Sequence, residues 1–76
     1  MPKRNAAQEA RLRFIDFTVH HYGTLRRAAL EDYFGIATAQ ASLDLKAYME
    51  VAPLNLVYDG QAKLYRRTVA FERKFP

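Results

Sequence analysis

The chain has 76 residues, half of them apolar, no cysteine and a formal charge of +4. That length allows one small domain near the lower limit for a self-sufficient core, with neither a disulfide framework nor a thiolate metal site. No apolar run approaches the ~20 residues that cross a bilayer, and the basic start Met1-Pro2-Lys3-Arg4-Asn5 is followed by no secretory apolar segment.

A first helix is predicted from about Ala6 to Tyr22, with Leu12, Ile15, Val19 and Tyr22 at helical spacing. Phe14, Phe17 and His21 fall on nearly the opposite side, so this helix is apolar on two faces. A small domain has one core to face. The second stripe therefore needs covering, by the C-terminal tail or by a second subunit. Gly23 sits where helices end in a left-handed residue.

Thr24-Leu25-Arg26 is long enough only for a connector or a small edge strand. A second helix then takes Arg27 to Phe34, expected to bury Ala28 or Ala29, Leu30, Tyr33 and Phe34. Gly35 supplies the positive φ of a tight turn, and Ile36 plugs the angle between the helices. A third helix spans Thr38 to Val51 and stops before Pro53. Its inner stripe is Ala41, Leu45, Tyr48 and Ala52, with Met49 alongside. The outer stripe is Ala39, Ser42, Leu43, Lys46 and Glu50, flanked by Thr38 and Gln40. Neither helix start has a good capping side chain, since Arg26 and Ala37 occupy the cap positions; each forgoes roughly 0.5–2 kcal/mol.

Beyond Pro53 the pattern becomes strand-like. Asn55 to Tyr58 and Lys63 to Arg66 read as a hairpin, with a Gly60-Gln61 turn that would pair Tyr58 with Lys63, Val57 with Leu64 and Leu56 with Tyr65. An Asp59-Gly60 turn would shift that register. The tail carries Val69, Phe71 and Phe75 among charges. Mainly helical with a small β-hairpin, the chain reads as a winged helix-turn-helix: an arm and helix start over 1–10, the winged domain over 11–68, and a tail or linker over 69–76.

Cations come in pairs, Lys3/Arg4, Arg26/Arg27, Arg66/Arg67 and Arg73/Lys74, at element ends from which a small domain reaches phosphates. Thr38, Gln40, Ser42, Leu43 and Lys46 are the expected base-reading set in the major groove of double-stranded DNA. Gln40 suits adenine, Lys46 guanine or a phosphate, and Leu43 a thymine methyl. Arg26, Arg27, Lys63, Arg66 and Arg67 are expected on the DNA backbone. Phe14, Phe17, His21 and Phe71 are expected at a dimer or partner contact. The plainer reading of the outer helix face is simple solvation.

Catalysis and cofactors are not expected. His20 and His21 point to different sides of a helix, with Asp16 the sole further ligand in register, and Glu31/Asp32 lack the geometry of an acid–base pair. The competing class is a winged-helix protein-interaction module that does not bind DNA.

The segments Arg11-Leu12-Arg13-Phe14-Ile15-Asp16-Phe17, Phe34-Gly35-Ile36, Gln40-Ala41-Ser42-Leu43-Asp44-Leu45, and Leu56-Val57-Tyr58-Asp59 with Ala62-Lys63 and Tyr65 occur in that order. Together they resemble the N-terminal domain of WYL-domain transcriptional repressors, bacterial regulators associated with phage-defence operons such as BREX and CBASS. The resemblance runs from about Arg11 to Pro76. It implies a dimeric, sequence-specific repressor that binds an inverted-repeat operator, with an effector-sensing WYL domain following; a cytoplasmic, nucleoid-associated location is the expected default. This sequence ends at Pro76, so ligand sensing is not carried over, and the chain is expected to be either a domain of a longer regulator or a stand-alone relative.

Overall fold

A computed structural model describes residues 5–76; the expected basic arm at Lys3 and Arg4 lies outside the described residues. The elements run α1 (Ala6–Tyr22), β1 (Thr24–Leu25), α2 (Arg27–Phe34), α3 (Thr38–Val51), β2 (Leu56–Asp59) and β3 (Leu64–Arg67). Three helices and a small antiparallel sheet, in strand order β1-β3-β2, make the winged helix-turn-helix that the sequence predicts.

Asn5 caps α1 by accepting from the Gln8 N–H at 2.8 Å, and the helix ends at Gly23, at φ 80°, whose N–H donates to the Val19 carbonyl. Leu12, Ile15 and Val19 are fully buried, but Tyr22 is 72% exposed. By the last turn α1 has run past the core, and the fourth inward position is taken instead by Asp16. Phe14 on the second stripe stacks on Tyr33 and meets Phe34 edge-on, so α2 covers that side in part.

The expectation for α2 needs correction. Only Leu30 is buried, Phe34 is half-buried, and Ala28, Ala29 and Tyr33 are exposed. A two-turn helix lying across two longer ones presents a single residue squarely to the core. Gly35, at φ 64°, then turns the chain, with the Ile36 N–H donating to the Glu31 carbonyl at 3.1 Å. Neither Arg26 nor Ala37 makes a side-chain cap bond. On α3 the inner stripe is buried as its spacing predicts, at Ala41, Leu45, Tyr48 and Ala52, joined by the unforeseen Asp44.

The hairpin register also differs from expectation. Tyr58 pairs with Tyr65, Val57 with Arg66, Leu56 with Arg67 and Asp59 with Leu64. The turn is thus a four-residue loop over 60–63. Its cause is Asp59, whose carboxylate accepts from the Gln61 and Ala62 N–H groups at 3.0 Å and pairs with Arg66 at 2.8 Å. This side-chain-closed turn outcompetes the two-residue Gly60 turn. The loop then needs a left-handed residue before β3, which is Lys63, at φ 56°.

Residues 68–76 fold back over the core. The Thr68 N–H donates to the Asn55 carbonyl, and Asn55 and Glu72 exchange hydrogen bonds through the Asn55 amide. Phe75 is buried and joins the core cluster. Asp16 receives the tail: its carboxylate accepts from Arg73 Nε at 2.7 Å, from the Lys74 and Phe75 N–H groups, and from the Tyr48 hydroxyl at 2.6 Å. Tyr48 in turn accepts from Asn55 Nδ2 at 3.0 Å. Burial pushes the Asp16 carboxyl up, but the bonds from Tyr48, Arg73, Phe75 and Lys74 outweigh it and hold the group below its ordinary value. The same burial and the bond to Asp16 push the Tyr48 phenol well up.

Candidate nucleic-acid interface

The joint between α2 and α3 is fixed on both sides. Inside, Leu30 and Ile36 fill the angle. Outside, Thr38 Oγ1 donates to Glu31 Oε1 at 3.0 Å, Arg27 pairs with Glu31 at 3.5 Å, and Arg27 Nη1 donates to Ser42 Oγ at 3.3 Å. These polar links replace the absent caps in setting how α3 leaves the turn.

The outward face of α3 is uncovered. Thr38, Ala39, Ser42, Leu43, Lys46 and Glu50 are all exposed, Leu43 by 58%. Glu50 marks the far end, where a phosphate would be repelled. Gln40 departs from the rest of the expected reading set. It is half-buried, and one of its amide N–H groups donates to Asp44 Oδ1 at 3.0 Å.

Three of the five expected backbone cations, Arg26, Arg27 and Lys63, gather beside this face, and Arg27 touches it at Ser42. Arg26 Nη1 reaches across from the start of α2 to the Ala62 carbonyl of the wing loop at 3.0 Å, and stays exposed. Arg26, Arg27 and Lys63 line a cleft between α2 and the wing, together with Tyr58 and Tyr65. Arg66 is half-exposed beside Asp59, and the Ala62 N–H together with this ion pair holds the Asp59 carboxyl below its ordinary value. Arg67 is exposed but engaged within the chain: its Nη1 donates to the His20 carbonyl at 2.6 Å and approaches that of Val19 at 3.5 Å. It caps the C-terminus of α1. The helix C-terminus attracts it, as partial negative charge attracts any cation there.

Tyr58 and Tyr65 were not foreseen as part of this surface. Their rings lie 4.9 Å apart on the wing. The two-residue turn would have set Tyr58 opposite Lys63, and so hid the pair; an aromatic in each strand was the available signal.

The expected contact residues do not form one patch. Phe14 and Phe17 line a hollow between α1, α2 and the chain end, with Tyr33, Phe34 and Pro76. Phe17, which is 45% exposed, has its ring 4.4 Å from that of His21. Phe71 instead stacks on His20, in a separate hollow with Arg67 and Thr68. Among the described residues no three histidine, aspartate or glutamate side chains come together as a metal site, and no helix is long and apolar enough to cross a membrane.

The family model of the BrxR transcriptional regulator winged helix-turn-helix domain matches residues 7–76. A protein of Pseudomonas aeruginosa named DNA-binding transcriptional repressor CapW is 46% identical over 69 residues, covering 91% of this chain and 23% of that protein. A repressor of the same name from Escherichia coli (strain KTE188) is 48% identical over 65 residues, 86% of this chain and 22% of its own length. One from Stenotrophomonas maltophilia is 40% identical over 65 residues, again 86% of this chain and 22% of its own. The chain therefore spans less than a quarter of the relatives it matches. On the near-complete family match and the fold, this chain belongs to the winged helix-turn-helix domains of the BrxR transcriptional regulators.

Proposed function

We propose that this domain binds double-stranded DNA sequence-specifically and represses transcription, with the N-terminal half of α3 in the major groove. The observation that carries the reading is the uncovered face of Thr38, Ser42, Leu43 and Lys46 beside the cations of α2 and the wing. The relatives' name, DNA-binding transcriptional repressor, supports the same assignment. Ser42 meets a base edge, Leu43 a thymine methyl, Lys46 a guanine or a phosphate, and Arg26, Arg27, Lys63 and Arg66 the sugar-phosphate rails. The working form is a cytoplasmic homodimer on an inverted repeat, regulating a phage-defence operon. The hollow of Phe14, Phe17 and Tyr33 supports a subunit contact. The greater length of the relatives leaves room for a WYL sensor domain.

A titration of labelled duplex at several salt concentrations tests the reading. If about four to five phosphates are neutralised per subunit, log K falls against log salt with a slope near −4. Binding that ignores salt overturns it. No shift of bulk duplex at micromolar protein and low salt favours the interaction module, for which the apolar hollow would be the contact.

A further inference from the structure

Asp44 lies on the helix assigned to base reading, yet its side chain is fully buried against α1. Arg11 grips both of its oxygens, through Nε at 2.5 Å and Nη2 at 3.3 Å. Gln40, one turn earlier on α3, donates its Nε2–H to Asp44 Oδ1 at 3.0 Å. A buried ion pair is a poor device for joining two helices, since apolar side chains of similar volume hold them as well or better. It does something that apolar side chains cannot do. An ionised carboxylate only accepts hydrogen bonds, so it draws in the NH₂ end of the Gln40 amide and rejects the oxygen end.

That choice leaves Gln40 with a definite pattern. One N–H is taken by Asp44, which leaves the amide oxygen as an acceptor and the second N–H as a donor. Adenine shows the complement in the major groove, the N6 amine beside N7. Gln40 is in the first turn of α3, the part of a recognition helix that meets base edges. We propose that Asp44, held by Arg11, is a specificity-positioning residue that sets the amide of Gln40 to read adenine. This rests on the major-groove assignment of α3. An unheld glutamine rotates freely and presents either end, which blunts discrimination.

The test selects an operator from a random duplex pool with the 76-residue chain, then compares affinities for that operator and its single-base variants. Gln40→Met should lose about 5- to 150-fold preference at one A·T pair. Arg11→Met combined with Asp44→Leu replaces the ion pair by apolar volume, which keeps the helices joined. It should lose preference at that same pair, and adding Gln40→Met to it should lose nothing more. Arg11→Lys, which keeps a cation on the carboxylate, should retain the preference, and the salt slope should be unchanged throughout. If the folded Arg11→Met/Asp44→Leu protein keeps wild-type preference, or weakens equally on every sequence, the proposal is overturned while the major-groove assignment stands. If the wild type selects no sequence, both fall together.

Discussion

Replacing Asp16 by asparagine leaves Arg73 facing a neutral group and sets amide hydrogens against the Lys74 and Phe75 N–H donors. The expected loss is about 3 kcal/mol, the low end for breaking a buried pair because Arg73 remains partly exposed. For a domain this small that lowers the melting midpoint by roughly 12–24 °C. The acid behaviour follows from the lowered Asp16 pKa. The stabilisation is complete above the unfolded value of about 3.9 and is lost as pH falls through the folded value beneath it. Urea midpoints between pH 7 and pH 2 should therefore fall more steeply for wild type than for Asp16→Asn at the acid end; parallel curves would remove Asp16 from this role. On the outer surface, Lys46→Ala should weaken binding about equally on all duplexes and make the salt slope less negative by ~0.9 if Lys46 meets a phosphate. A change confined to one base pair would place it on guanine instead. Neither buried carboxylate was legible in the sequence. Each sits among polar neighbours on an amphipathic helix, and the arginine that neutralises it is 57 residues away for Asp16 and 33 for Asp44.

Among the elements, α3 was the most readable, because Ala41, Leu45, Tyr48 and Ala52 separate one face from the other by spacing alone. The wing was readable as a hairpin but not in register, since a single carboxylate, Asp59, selects the loop. That loop makes Lys63 an informative position. Lys63→Gly removes both a left-handed side-chain penalty and a cation from the cleft. Stability should rise by about 0.5–1 kcal/mol while affinity for DNA falls. The two effects are separated by a thermal melt and a duplex titration; a loss of stability would contradict the loop assignment. Arg67→Ala should behave in the reverse sense. Losing the cap of α1 lowers stability by roughly 1 kcal/mol, with the salt slope of DNA binding left as it was. A slope shallower by ~0.9 would return Arg67 to the phosphates.

For the whole molecule, the tail is the part whose role composition could not disclose. Residues 69–76 read as charges with scattered apolar side chains, yet Phe75 is buried beside Tyr48 while Val69 stays in solvent. The Phe75 N–H donates to the Asp16 carboxylate, an anchor that Val69 lacks. Deleting 69–76 removes Phe75 and leaves Asp16 without Arg73. Losing a buried phenylalanine alone costs about 3–5 kcal/mol, comparable to the total stability of a domain this size. Circular dichroism should show the shortened chain largely unfolded at 25 °C; a cooperative melt close to wild type would show the tail to be dispensable.

The closure of Asp16 by Arg73, Lys74 and Phe75 also orders events in time. During synthesis the carboxylate emerges long before its partners, and a nascent chain that has reached only the wing carries a charge it cannot bury. Folding of this domain must therefore wait until Arg73, Lys74 and Phe75 have cleared the ribosome. A pause just short of them would hold the protein open to proteases and keep it from any operator.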